Sequence, residues 1–328
     1  MSAVDHSFRC MGTTVRLILD DRGRRDRSRL PLEDECKLAV AYLREFDARL
    51  SRFRPDSELS RLNADPRPAV PASQLLRVLV RAGVWAARRS GGLVDPTLTP
   101  DLKRLGYSAP WPHPEAATVA EALAAAPRRA ACAPSRERRW ESLRANDRRG
   151  TVQRTPGVLF DSGGVGKGLA ADAVAVRLHA LPRFLVDCGG DLVAGGRDDE
   201  RAPFEVEVEH PLRRQPAHRL TVRDGAVATS GIGRRVWRRT DGSHAHHLLD
   251  PSTGEPAWTG LVSATAIAAT ALEAETVAKM AFLAGPERAR TLLLAHGGVL
   301  VHDSGEVEVI EPLRLVAGGG ERVEPVAA

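Results

Sequence analysis

A chain of 328 residues that is 43% hydrophobic and 27% charged has an ordinary globular composition and can bury a large core, which excludes disordered and fibrous classes. The net charge of +5 suits an anionic partner, yet the arginines are scattered without aromatic interleaving and aromatics make up only 4%, so nucleic acid is not the expected partner. Cys10, Cys36, Cys132 and Cys188 form no zinc or redox spacing, no segment approaches the roughly 20 apolar residues of a membrane span, and no export signal is visible, so the expectation is a reduced, cytoplasmic protein without a membrane partner.

In chain order, His6 to Leu19 alternates as a first strand, interrupted at Met11, Gly12 and Thr13. Leu38, Tyr42, Phe46 and Leu50 recur at helical spacing and predict a core-facing helix over 32–50. The following SRFRPDSELSRLN, residues 51–63, is polar and loop-like; it carries Arg52, Arg54, Ser57, Glu58 and Asn63. A second helix is predicted over 73–89, ended by Gly91 and Gly92, and Asp95-Pro96 then signals a turn. Residues 110–150 turn alanine-, arginine- and proline-rich; the expectation there is a short helix over 115–125 and a charged, exposed connection or hairpin.

The next stretch, LFDSGGVGKGLAAD, carries the most specific local chemistry. A short apolar run delivers Asp161 into a loop holding Gly163, Gly164, Gly166 and Gly168 around Lys167, and a helix follows from Leu169. Glycines admit a bound group close to the backbone, a helix start favours anions, and lysine adds a full positive charge, which together describe a phosphate cradle. Neither common nucleotide motif is satisfied. A P-loop needs a glycine where Asp161 stands and Ser or Thr where Gly168 stands, and a dinucleotide fingerprint fails at Leu169. A plain glycine-rich turn with a solvated lysine therefore stays open beside the cradle.

Further on, strands over 183–193 meet at Gly189 and Gly190, between Asp187 and Asp191, and further strands are expected over 204–208 and 218–222. VATSGIGRRVWR offers Thr229, Ser230, Arg234 and Arg235, and HAHHLLDPSTGEPA puts His244 and His246 on one strand face and His247 on the other. The histidines lack the remaining ligands of a zinc site. A buried strand over 262–267, a helix over 271–283 with Glu275 and Lys279 as an i,i+4 pair, strands over 299–302 and 307–310, and a loose glycine-rich tail over 316–328 complete the reading. Residues 1–315 are expected to form a single domain.

Taken together and in order, MGTTV, SRFRPDSELSRLN, VDPTLTPDLKRLGY, DSGGVGKGLAAD, LVDCGGDL, ATSGIGRR, HHLLDPSTGEPA and TALEAETVAKMAFLAGPE resemble the FAD:protein FMN transferase (ApbE) family. The resemblance implies an α+β, T-fold-like architecture of mixed or antiparallel sheets packed with helices. It also implies an enzyme that moves FMN from FAD onto a Thr or Ser hydroxyl of an acceptor protein, releasing AMP. Carried onto this chain, FAD contacts would come from Met11, Gly12, Thr13, Ser57, Glu58, Asp95, Asp161, Gly163, Gly164, Lys167, Gly189, Gly190, Asp191, Ser230 and Arg234. His247 and Asp250 fall at the catalytic end, with His247 placed to take or orient a proton.

One departure stands out. Where the family has TAMEAD followed four residues later by threonine, this chain has Glu275 and Lys279. In the family those two side chains and a carbonyl of the glycine loop, here Gly164, hold magnesium. Glutamate can still ligate it, whereas a charged lysine has no lone pair to offer. Either Gly164 and Glu275 keep the ion, or the Lys279 ammonium faces the pyrophosphate in its stead. Hydrolysis of FAD to FMN and AMP, and non-catalytic FAD binding, are the alternatives to transfer. VSAT at 262–265 partly resembles the family's acceptor motif, but a core strand is the better reading of it.

Overall fold

Two adjacent strands, β1 (Ala3–Cys10) and β2 (Thr13–Asp20), form a hairpin where alternation alone suggests one interrupted strand. The interruption is the turn itself: Met11 and Gly12 take φ of 52° and 69°, as a two-residue hairpin loop of this hand requires. The computed structural model describes residues 3–22, 30–111, 114–198, 200–313 and 324–325. Most of the tail over 316–328 thus lies outside the described residues.

Helix α1 (Leu32–Leu50) has the expected bounds, but its inward stripe is Leu32, Cys36, Ala39, Leu43, Phe46 and Leu50, and Leu38 is 55% exposed. Strict steps of four drift around a helix of 3.6 residues per turn, whereas mixed steps of three and four stay on one face. The polar segment after it is partly helical, α2 (Glu58–Ala64), because the Ser57 hydroxyl accepts the Ser60 amide at 2.9 Å and caps it. Then come β3 (Ala69–Pro71), α3 (Gln74–Arg89) capped by Ser73, α4 (Thr99–Arg104), and α5 (Val119–Ala124), closed by a Thr118–Glu121 capping box. The charged connection folds back as the hairpin β4 (Arg144–Asn146) and β5 (Thr151–Gln153), paired with β3.

The second half supplies α6 (Gly166–Leu178), β6 (Arg183–Cys188), β7 (Asp191–Gly195), β8 (Phe204–Val208), β9 (His218–Val222) and β10 (Gly225–Gly231). After these follow β11 (Val236–Arg238), β12 (His244–His246), β13 (Leu261–Ala268), α7 (Ala271–Ala284), α8 (Pro286–Leu293), β14 (Gly298–His302), β15 (Val307–Ile310) and β16 (Glu324–Pro325).

Eight strands pair antiparallel in the order β1-β2-β6-β7-β10-β13-β14-β15. Alternate residues serve two cores. Val186, Val193, Ala226 and Ala228 belong to the large core on the helical face, with α6 and α7; Leu185, Leu192, Ala194 and Val227 pack with Phe204, Val208, Leu220 and Val222 of β8 and β9 on the other. Being covered on both faces, β7 is buried at every position. Thr265 of the VSAT stretch is buried in β13, its hydroxyl 2.8 Å from that of Thr229. All four cysteines are free and buried.

Helices α6 and α7 are tied reciprocally. Asp172 of α6 accepts the Ala271 and Leu272 amides at 2.7 and 2.9 Å, satisfying the start of α7, while Glu275 of α7 accepts the Gly168 amide at 2.9 Å, at the start of α6. A side chain at Gly168 would stand 2.5 Å from the Ala271 carbonyl, so the glycine sets how closely the helices approach.

Candidate active site

The glycine loop is held from three sides. Asn63 clamps its entrance, donating to the Phe160 carbonyl and accepting the Phe160 amide, both at 2.8 Å, and the Asp161 amide donates to Pro96 at 2.8 Å. The Ser162 hydroxyl donates to the Leu50 carbonyl at 3.0 Å, fixing the loop to the end of α1. Asp161 itself accepts the Gly163 amide at 3.0 Å and lies 3.5 Å from Arg52 Nε. The Arg52 guanidinium stacks on Phe53 and Tyr107, 4.1 and 4.7 Å from their ring centres, and donates to the Tyr107 carbonyl at 3.0 Å. Its Nη2 is buried without a partner.

These groups border a cavity of about 330 Å³ that reaches from Met11 and Gly12 past Asp95 and the loop to Arg235, His247 and Lys279. Phe53, Tyr107 and Trp111 line one part of it. Tyr107 stacks in turn on Trp237 at 5.3 Å, so the aromatic wall is anchored in a small core of its own. Asp95 accepts the Thr97 amide and hydroxyl at 2.8 and 2.5 Å, and burial pushes its carboxyl above the usual range.

Behind the loop is a buried charge cluster. Lys167 is ion-paired with Asp191, which is almost fully buried. Burial opposes its charge, but Asp191 and Glu275 outweigh that, so its pKa is raised and it stays an ammonium. Glu275 is 1% exposed; burial and the charge of Asp191 raise its pKa against the pull of Lys279 and Lys167. The Lys279 ammonium donates to the Gly164 carbonyl at 3.1 Å and lies 3.6 Å from Glu275 Oε1, an oxygen with no hydrogen-bond partner. The Glu275–Lys279 pair is therefore no surface helix pair.

His247 follows β12, with its Nδ1 buried and unpartnered. Burial, then the charges of Arg235, Lys279 and Lys167 and the neighbouring His246 imidazole, holds its pKa well below 6.5. At neutral pH it is an uncharged imidazole on the wall of a cation-rich cavity, with a lone pair free to receive a proton. His246 faces inward instead, its ring edge-on to Trp258 at 4.7 Å, and burial brings its pKa to about 3. Among the described residues no three His, Cys, Asp or Glu side chains group as a metal site.

A family model described as the ApbE family matches residues 11–301. The chain belongs to the ApbE family. It is 31% identical over 263 residues to the FAD:protein FMN transferase of Klebsiella pneumoniae, covering 78% of this chain and 73% of that one. To the FAD:protein FMN transferase of Treponema pallidum it is 33% identical over 277 residues, with the same shares of 78% and 73%. The ApbE protein of Thermotoga maritima shares its fold, with a TM-score of 0.75 at 23% identity over 94% of this chain and 97% of that one. So does the flavin transferase ApbE of Vibrio cholerae, with a TM-score of 0.71 at 23% identity over the same 94% and 97%. The α+β architecture of antiparallel sheets and packed helices is thus that of ApbE structures.

Of the positions that the ApbE resemblance implies, Met11, Gly12, Asp95, Asp161, Gly163, Gly164 and Lys167 border the cavity. His247 and Lys279 border it as well. The rest are not among the residues that border it. Ser57 caps α2; Glu58 accepts the Ser73 amide and hydroxyl at 2.6 and 2.7 Å and Arg49 at 2.8 Å. Thr13 and Gly189 are packed so closely that a side chain at Gly189 would meet the Thr13 hydroxyl at 2.1 Å, and the Gly190 amide donates to Asp187 at 2.7 Å. Ser230 is buried within β10.

Asp250 organises its own turn, accepting the Ser252 amide and hydroxyl at 2.9 and 2.8 Å. Arg234 points outward to Glu209, its side chain 71% exposed, and its neighbour Arg235 borders the cavity instead. Arg52 and the aromatic wall are further cavity groups; the polar segment after α1 drew attention to Arg52, but nothing in the spacing marked Tyr107 or Trp111.

Proposed function

We propose that this protein binds FAD in the 330 Å³ cavity and transfers FMN to a Thr or Ser hydroxyl of an acceptor protein, releasing AMP. The observation that carries the reading is the meeting, at one cavity, of Lys167, Arg235 and Lys279 with the His247 imidazole, which burial first and their charges second keep neutral. Cations there neutralise phosphoryl oxygens, and a neutral imidazole beside them is the group suited to receive the hydroxyl proton. The acceptor oxygen bonds to the FMN-side phosphorus, the bond from that phosphorus to the bridging oxygen breaks, and the bridging oxygen leaves with AMP. His247 takes the proton.

Other residues hold this arrangement. Asp161 and Arg52 stiffen the loop entrance, Asp191 keeps Lys167 charged and aimed, and the Tyr107–Trp111 wall offers flat rings for an aromatic part of the dinucleotide. A magnesium ion would supply further charge neutralisation, but the donor set fits it poorly. The Gly164 carbonyl is taken by Lys279, and the same ammonium stands beside Glu275. Four free, buried thiols suit a reducing compartment, so the acceptor is proposed to be cytoplasmic. No helix among the described residues is long and apolar enough to cross a membrane.

The test is incubation with FAD and a protein extract of the source organism. The expected result is a fluorescent flavin band that survives denaturing electrophoresis, with AMP released and no band from His247→Asn. FMN and AMP without a band would make the protein an FAD hydrolase, and unchanged FAD would make it a binder only.

A further inference from the structure

Gly164 and Glu275 bring two oxygen donors, a loop carbonyl and a buried carboxylate, to the phosphate end of the cavity, which is the chemistry that holds a hard divalent cation. A cation is already there. The Lys279 ammonium is 3.1 Å from the one oxygen and 3.6 Å from the other, and its side chain, 13% exposed, borders the cavity. We propose that Lys279 is a resident cation that takes the place of a divalent metal in this site, so that the protein binds the pyrophosphate of FAD without one.

Charge balance supports the assignment. Two buried acids, Asp191 and Glu275, already face two lysines, Lys167 and Lys279, with Arg235 beside them, so both acids have cationic partners with no added ion. A divalent ion on Gly164 and Glu275 would stand within a few ångströms of the Lys279 ammonium, and buried like charges at that separation repel strongly. It would also have to displace the ammonium from the Gly164 carbonyl. The ammonium's other N–H bonds remain for an anion, and the fixed helical spacing from Glu275 holds it there.

The inference rests on the flavin-transfer reading for its ligand, but metal binding is measured apart from it. Electron paramagnetic resonance of Mn²⁺ added to the full-length protein should show no ion bound to the wild type in a manner that depends on Glu275. FAD binding, followed by flavin fluorescence, should be the same in EDTA and in magnesium. Lys279→Met keeps the side-chain stem and removes the charge, and should weaken FAD binding about tenfold or more in EDTA, the loss of one charge-assisted hydrogen bond. Lys279→Arg should recover part of that loss.

Mn²⁺ held by the wild type and released by Glu275→Gln would overturn the proposal. So would a Lys279→Met protein of unchanged melting temperature that binds FAD in EDTA as tightly as the wild type. A wild type that binds no FAD under any condition would instead sink the flavin reading, and the Mn²⁺ result would still say whether the site takes a metal.

Discussion

His247 owes its usefulness to its neighbours. Burial, and then the cations around it, hold the imidazole neutral throughout the physiological range, so the transfer rate should show no acid limb near 6.5 when single turnovers are followed from pH 5.5 to 8. His247→Asn should lower that rate by about 10²- to 10⁴-fold while FAD binding stays within a few-fold, measured by fluorescence on the same samples. At this scale the sequence is readable where a motif names the residue and blind where a side chain's direction decides. Arg234 and Arg235 are equivalent as letters, yet the turn after β10 sends one to Glu209 and the other to the cavity. Glu275 and Lys279 are recognisable as an i,i+4 pair, but only the packing of α7 against the sheet and α6 puts them in the interior, where their charges must be matched.

Gly168 of α6 packs directly on the backbone at the start of α7, and Gly168→Ala sets a methyl against the Ala271 carbonyl. The expected cost is about 1 to 3 kcal/mol of stability, seen as a lower midpoint in denaturant, along with weaker FAD binding because the Glu275 tie to the Gly168 amide stretches. The short strand β12 carries a second consequence. His246 binds a proton near 6.5 when unfolded but only near 3 when folded, so the stability it favours is present above pH 6.5 and is lost as the pH falls toward 3. Each pH unit in that window should cost about 1.4 kcal/mol, and His246→Phe should flatten the decline of melting temperature between pH 6.5 and 5.

Periodic elements such as α1, α3, β8 and β9 follow from hydrophobic spacing, which is a property of the chain alone. The helices α2 and α4 instead depend on a single cap or proline, which spacing does not separate from loop. The Met11–Gly12 turn shows the same limit, since two residues can either bend a strand or end it.

For the whole molecule, the burial of all four cysteines gives a direct measure of integrity. Burial pushes the Cys10 thiol up to about 11 and the Cys132 thiol to about 12, so the native protein should react with a thiol reagent at pH 8 far more slowly than the urea-unfolded chain. That slow reaction should track unfolding. The pairing order of the eight strands was not readable from the chain, because antiparallel neighbours such as β2 and β6 are joined through more than 150 intervening residues. What was readable was the kind of surface each strand needs.

Such an open sheet ends in β1 and β15, and each could template pairing with another chain. The outermost strands carry polar guards: exposed Asp5, Ser7 and Arg9 along β1, with Asp5 bridged to Arg16, and Glu308 on β15, held by Arg290 and His302. A second molecule approaching edge to edge would have to strip water from those charges, and this resistance to aggregation is written into strands that take no part in the chemistry.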